Sequence, residues 1–133
     1  MECNALILLL AFGLASCAST PENLFVPVSD TVSGASTVDM LVATTRRSAE
    51  NLGELYSGER GNALTFANIV VSIPPDIVRT AGDVQWPTTT PGNPATDFVT
   101  TKVSRLDLKA VRTWLDSKGT ATRRHRVLIF VHG

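Results

Sequence analysis

The sequence closes on Val127-Leu128-Ile129-Phe130-Val131-His132-Gly133, in which five apolar residues run directly into a histidine and a glycine. An unbroken apolar run of this kind indicates a strand that is buried on both faces, and such a strand needs neighbouring strands and covering helices. The glycine that follows allows a sharp turn or a close approach of the backbone to a ligand. Because a chain terminus normally lies at the protein surface, we expect this chain to be the front part of a larger domain, truncated after Gly133.

Composition places the chain among globular proteins and gives no sign of a strongly charged partner. Its 133 residues are 44% hydrophobic and 18% charged, which suits one modest domain and excludes a disordered or fibrous chain. Its 12 Lys and Arg residues balance 12 Asp and Glu residues, so no overall field favours binding to nucleic acid. The sequence therefore predicts a protein without a nucleic-acid partner.

The first residues differ in character from the rest and predict export. Residues 5–14 form a continuous apolar stretch, about half of what a membrane-spanning helix needs but suited to the core of a signal peptide. Leu14-Ala15-Ser16-Cys17 follows, and it resembles the lipobox of bacterial lipoproteins, in which the cysteine is lipidated and becomes the first residue of the mature protein. The region before the apolar stretch carries Glu2 and no Lys or Arg, which departs from the positive charge usual in a signal peptide.

Residues 1–16 are therefore predicted to be a lipoprotein-type signal peptide, with Cys17 as the lipidation site. Cleavage would remove Cys3, so the mature protein would keep a single cysteine and no disulfide. The predicted location is the bacterial cell envelope, with the protein held to the membrane by its lipid anchor and facing the periplasm. Secretion through a plain signal peptide is the alternative.

Composition and strand patterns divide the remaining chain into a tether and a folded part. Residues 17–38 are rich in Ser, Thr, Pro and Asn, which predicts a flexible tether. Residues 39–133 form the folded part, in which β-forming residues predict strands over 40–45, 64–73 and 97–103. The prolines Pro74 and Pro75 end the second of these strands. The polar segment 50–62, which contains three glycines, predicts a loop.

A helix follows the third predicted strand. Ser104 and Asp107 have the spacing of a capping box, and Lys118 with Gly119 suits a helix end. Helical spacing places four apolar residues on one face: Leu108, Val111, Trp114 and Leu115. Antiparallel first strands, one helix and then a buried strand indicate the α/β class of folds.

One constellation has chemical meaning, and it is the His132-Gly133 pair after the apolar run. The sequence contains no G-x-S-x-G elbow, no C-x-x-C, no H-E-x-x-H and no glycine-rich phosphate loop. In α/β-hydrolases a strand that ends in His-Gly leads into a turn that contributes a backbone N–H to the oxyanion hole. We therefore predict His132 and Gly133 as part of an oxyanion turn, and we predict no metal and no cofactor.

Seven short motifs, taken in order, resemble one bacterial family. They are Leu41-Val42-Ala43-Thr44-Thr45-Arg46-Arg47, Glu59-Arg60-Gly61, Leu64-Thr65-Phe66-Ala67, Val71-Ser72-Ile73-Pro74-Pro75, Val84-Gln85-Trp86-Pro87, Asp97-Phe98 and Phe130-Val131-His132-Gly133. Over residues 39–133 the chain resembles α/β-hydrolase-like proteins that are described as domain of unknown function 900 or as members of the esterase/lipase superfamily. It departs from them after the proline pair, where it reads Asp76-Ile77-Val78 and family members often carry a histidine.

The resemblance implies that residues 39–133 are the N-terminal part of an α/β-hydrolase domain. It also implies that the serine nucleophile, the acid, the histidine base and the residue that supplies the oxyanion N–H all follow Gly133, so that no catalytic residue is present in this chain. The implied function is an exported, lipid-anchored serine hydrolase that acts on a small-molecule ester and is inactive as this fragment. The alternatives are a hydrolase fold without hydrolysis, or a non-catalytic envelope lipoprotein or binding module.

Overall fold

The computed structural model describes residues 21–51, 53–121 and 128–131. Its regular elements are the strands β1 (Ser36–Ser48), β2 (Tyr56–Ile73) and β3 (Val99–Leu106), the helix α1 (Leu108–Ala121), and a short 3-10 turn at Asp76–Val78. The strands of the described residues form one antiparallel sheet in the order β1-β2-β3, and α1 follows it along the chain. The fold is of a mixed α/β type, as predicted.

The β1–β2 hairpin provides most of the sheet. Its register runs without a break from Ser36 opposite Ile73 to Thr44 opposite Thr65. β-Branched and other apolar residues are frequent in this part of both strands, which favours pairing between them. Pro74 follows β2 directly and is fully buried. Since proline cannot donate a hydrogen bond to a neighbouring strand, β2 ends where the sequence predicts.

The hairpin is longer than the sequence predicts. A loop is predicted over residues 50–62, but β2 already begins at Tyr56. Arg46 pairs with Arg60 and Ser48 pairs with Tyr56, with register shifts on either side of Arg46. Glycine has a low strand propensity, and two glycines lie in this part of β2, so pairing with β1 outweighs local preference here. The loop prediction is therefore wrong for residues 56–62.

The boundary between β3 and α1 also differs from the prediction. β3 extends to Leu106, and Ser104 pairs with Asn68 of β2. The residue that caps the helix is Asp107, whose Oδ1 accepts a hydrogen bond from the backbone N–H of Ala110 at 2.7 Å. The predicted capping box with Ser104 at its start is therefore wrong, because pairing in the sheet holds Ser104 in a strand. The helix continues past Gly119 to Ala121.

The hydrophobic core is small and lies around the middle of β2. Leu55, Ala67 and Ile69 are buried, and five partly buried side chains pack against them: Phe25, Val42, Tyr56, Val71 and Val103. On α1 only part of the predicted apolar face is covered. Val111 is buried, whereas Leu108 is 65% exposed and Leu115 is 48% exposed.

Residues 23–28 are attached to the end of the sheet by hydrogen bonds. The backbone N–H of Val28 donates to the carbonyl oxygen of Thr100, and the Thr100 hydroxyl donates to the carbonyl oxygen of Leu24, both at 2.8 Å. The N–H of Phe25 donates to the carbonyl oxygen of Gly53 at 3.0 Å. This segment lies within the tether predicted over residues 17–38, so contacts with the folded part begin before the predicted boundary at residue 39.

Residues 128–131 do not form the predicted buried strand. They have no regular secondary structure, and their side chains are between 78% and 94% exposed. A strand buried on both faces has to pair within a sheet and be covered on each side. The three-stranded sheet of the described residues does not include this segment. In this structure residues 128–131 therefore lie outside any sheet, and their burial as a strand within a larger domain stays a prediction.

Candidate functional site

The residues that the sequence singles out for chemistry lie outside the described ranges. Cys17, the predicted lipidation site, precedes them, and His132 with Gly133, the predicted oxyanion turn, follows them. The predicted signal peptide over residues 1–16 is also outside. Their assignments therefore stay predictions. The described residues bring together two other polar arrangements, a cluster around Asp39 and a cleft beside the start of α1.

Asp39 of β1 connects the sheet to the helix through three donors. Its Oδ1 accepts hydrogen bonds from Asn68 Nδ2 at 2.5 Å and from Trp114 Nε1 at 3.1 Å. Its Oδ2 accepts one from Lys118 Nζ at 2.5 Å. Asn68 is buried in the middle of β2, and its Nδ2 also donates to the carbonyl oxygen of Met40 at 3.1 Å. One carboxylate thus holds side chains from β2 and α1; we call these four residues the Asp39 cluster: Asp39, Asn68, Trp114 and Lys118.

The electrostatics of the Asp39 cluster favour an ionised carboxylate. Burial raises the pKa of Asp39, but hydrogen bonds from Lys118, Asn68 and Trp114, together with the positive charge of Lys118, outweigh it. The net effect holds the pKa below its ordinary value of 3.8. A carboxylate that is ionised and already accepts three hydrogen bonds is a poor general base, because its lone pairs are engaged. The cluster is therefore suited to holding the helix on the sheet.

Helical spacing points to two members of this cluster, Trp114 and Lys118, but not to the other two. Trp114 and Lys118 are four residues apart and share one helix face, and Lys118 Nζ lies 5.4 Å from the centre of the Trp114 ring. The sequence predicts a packing role for Trp114, and its indole is half-buried against the sheet. Asp39, however, lies 75 residues before Trp114. No spacing rule links residues that far apart.

The second arrangement is an open cleft of about 240 Å³ where β3 meets α1. It is lined by Ser48, Tyr56, Leu64, Thr65, Phe66, Arg105, Leu106, Asp107 and Leu108. The carboxylate of Asp107 caps the helix, and Arg105 Nη2 donates to the carbonyl oxygen of Leu55 at 3.4 Å. The hydroxyl oxygen of Tyr56 is buried and makes no hydrogen bond with the described residues. Neither a histidine nor a cysteine lines it, and the one carboxylate of its lining, that of Asp107, is engaged in capping the helix.

The described part of the chain offers no cluster for a metal ion and no helix that could span a membrane. Among residues 21–51, 53–121 and 128–131, no group of three or more His, Cys, Asp or Glu side chains could hold a metal ion. Within those ranges no helix has the length and apolar character that crossing a membrane requires.

Comparison with known proteins adds no family to these observations. No protein-family model, no curated protein sequence and no solved structure matches the chain.

Proposed function

We propose that this chain is the N-terminal part of an exported, lipid-anchored serine hydrolase of the esterase/lipase type. The observation that carries the proposal is the order of elements. Three antiparallel strands are followed by α1, and α1 is followed by the apolar residues 128–131 and then by His132-Gly133. An α/β-hydrolase reaches its oxyanion turn through a strand that ends in His-Gly.

The exposed apolar residues 128–131 support this reading. Leu128, Ile129, Phe130 and Val131 each expose more than three quarters of their surface. Full burial of such a side chain stabilises a protein by about 1.5–3 kcal/mol. The segment therefore has the composition of a central strand and is a good candidate to become one when further strands lie beside it.

In the proposed enzyme His132 and Gly133 belong to the oxyanion turn. A tetrahedral intermediate places negative charge on the former carbonyl oxygen, and each preorganised N–H donor there contributes roughly 3–4 kcal/mol to the transition state. The nucleophile is a serine that follows Gly133 in the chain, and its acid and base follow as well. This chain by itself is proposed to be inactive.

The serines of β2 are in the wrong setting to be nucleophiles. Ser72 is buried and lies opposite both Thr37 and Val99 in the middle of the sheet. The Ser57 hydroxyl accepts a hydrogen bond from the backbone N–H of Glu59 at 3.2 Å. Neither residue lies on a strand-turn-helix elbow with a histidine beside it.

Labelling of the natural gene product with a fluorophosphonate, which reacts with activated serines, tests the proposal. We expect one labelled serine within a G-x-S-x-G sequence on the C-terminal side of Gly133, and we expect hydrolysis of short p-nitrophenyl esters. The matched control is the same product with that serine changed to alanine. If the natural product contains no labelled serine and hydrolyses no ester, it is not a hydrolase and the non-catalytic lipoprotein is the better description.

A further inference from the structure

The outer part of the β1–β2 hairpin places two arginines directly opposite each other. Arg46 of β1 and Arg60 of β2 are register partners, and both side chains are exposed. Directly opposed residues of antiparallel strands lie on one face of the sheet, with Cβ atoms about 4.5–5.5 Å apart. Like charges in such positions repel each other and oppose pairing of the strands.

Irregular pairing isolates these two arginines from the rest of the sheet. Register shifts occur on both sides of Arg46. Between the Thr44–Thr65 and Arg46–Arg60 pairs, β1 contains one residue, whereas β2 contains residues 61–64. Between the Arg46–Arg60 and Ser48–Tyr56 pairs, β1 again contains one residue, whereas β2 contains residues 57–59. Bulges of this type redirect side chains, and they are frequent next to functional sites. The Arg46–Arg60 pairing is therefore a separate step of the ladder, with irregular pairing before and after it.

Among the residues that the structure describes, neither Arg46 nor Arg60 forms an ion pair. The Arg46 guanidinium is oriented by donating from Nη1 to the carbonyl oxygen of Gly58 at 2.9 Å, which is a neutral partner. The carboxylate of Glu59 is engaged by Arg47, with Nη1 and Oε2 at 2.7 Å. A Cβ at Gly58 would contact only the Arg46 guanidinium, at 4.0 Å, so the backbone leaves space beside the pair.

We propose that Arg46 and Arg60 form a binding site for a phosphate-type oxyanion. Each guanidinium presents a planar set of N–H donors that matches the oxygens of a phosphate. An anion between the two groups replaces their repulsion with charge-assisted hydrogen bonds. The same chemistry fits a free phosphate or phosphomonoester and the phosphate of a lipid headgroup. The site consists of described residues and is independent of the proposed hydrolase function.

Titration with inorganic phosphate tests this site, with chloride used to keep the ionic strength constant. NMR signals of the arginine Nε–H groups report binding at each side chain. Arg46→Gln and Arg60→Gln are the test variants, and Arg112→Gln, at an exposed position of α1, is the matched control. We expect saturable shifts at Arg46 and Arg60, and an affinity that falls roughly fivefold in each test variant. Sedimentation with phosphatidylglycerol or phosphatidylcholine vesicles forms a second arm.

The two arms distinguish the sources of phosphate. Binding of inorganic phosphate that both test variants weaken supports a site for soluble phosphate compounds. Binding to phosphatidylglycerol vesicles alone, weakened by the same two variants, supports a lipid headgroup as the ligand. Absence of binding in both arms, or an equal loss in Arg112→Gln, overturns the proposal because the attraction is then absent or unspecific.

Melting temperatures give an independent test of the site. If the two arginines only stabilised the hairpin and bound no anion, phosphate would not raise the melting temperature of the wild-type protein more than that of the Arg60→Gln variant. In phosphate-free buffer, Arg60→Gln removes one of two opposed positive charges, so its melting temperature should rise. Added phosphate should raise the melting temperature of the wild-type protein more than that of the variant. A lower melting temperature for Arg60→Gln without phosphate would mean that the pair stabilises the hairpin by itself, and the proposal would fail.

Discussion

At the scale of single residues, Asp39 is the side chain on which the attachment of α1 to the sheet depends. It accepts hydrogen bonds from Asn68, Trp114 and Lys118 while about a third of its side chain is exposed. Partial exposure weakens each ion pair through solvent screening, so the Lys118 contact alone contributes little. The stronger contribution comes from satisfying the buried amide of Asn68.

Replacing Asp39 with asparagine should therefore lower the stability of the protein. The Asp39→Asn variant keeps the shape of the side chain but removes the charge and turns one acceptor into a donor. We expect the free energy of unfolding in urea to fall by about 1 kcal/mol. Asp30→Asn is the matched control, since Asp30 is exposed and precedes the first strand. An equal effect in both variants would show that net charge, and not the Asp39 cluster, is responsible.

The pH dependence follows from the lowered pKa of Asp39. Because the folded-state pKa lies below the ordinary value of 3.8, the carboxylate contributes its full stabilisation above that value. The contribution is lost as the pH falls through the folded-state pKa. The stability difference between the wild-type protein and Asp39→Asn should thus be larger at about pH 6 than at about pH 3. A difference that does not shrink in acid would contradict the assignment.

Residue patterns reveal local contacts better than contacts between distant elements. That Trp114 and Lys118 lie next to each other follows from helical periodicity, because they are four residues apart on one helix. The meeting of both with Asp39 depends on how α1 lies across the sheet, which no local spacing encodes. The same reason keeps the pairing of Arg46 with Arg60 out of reach of sequence reasoning, because two register shifts determine it.

At the scale of elements, strong local signals predict correctly and weak ones yield to pairing. Pro74 ends β2 where the sequence predicts, since the chemistry of proline leaves no alternative. Ser104 has good spacing for a helix cap, but the register of β3 with β2 places it in a strand. The polar residues 56–62 carry few strand signals and are nevertheless held in β2 by β1.

The helix cap offers a direct comparison between the predicted and the observed first turn. Asp107 Oδ1 accepts from the N–H of Ala110, so Asp107→Ala leaves that donor without its side-chain partner. We expect a loss of about 1 kcal/mol in unfolding free energy, together with a weaker helical circular dichroism signal. Ser104→Ala is the matched control, and it should leave the helical signal unchanged because Ser104 lies in β3. A larger helical loss in Ser104→Ala would restore the capping box as the start of α1.

At the scale of the whole molecule, the role of the exposed residues 128–131 distinguishes the proposed serine hydrolase from the alternative, a non-catalytic lipoprotein. In the proposed enzyme this segment becomes a central strand, so a charge within it cannot be tolerated. Ile129→Lys in the natural gene product should abolish cooperative unfolding and ester hydrolysis. Ile77→Lys is the matched control, because Ile77 is 93% exposed in the 3-10 turn. A natural product that keeps full stability with Ile129→Lys would contradict the central-strand proposal.

The predicted lipid anchor belongs to the same scale, because it decides where the whole molecule is held. Each buried methylene of an acyl chain contributes about 0.8 kcal/mol to membrane binding, so several chains on one cysteine form a stable anchor. The sequence has two cysteines, Cys3 and Cys17, and only the second lies in the lipobox-like motif. We expect cells fed radiolabelled palmitate to label the wild-type protein and Cys3→Ala, but not Cys17→Ala. Equal labelling of both variants would place the acyl group elsewhere, and an unlabelled wild-type protein would favour a plain secretory signal.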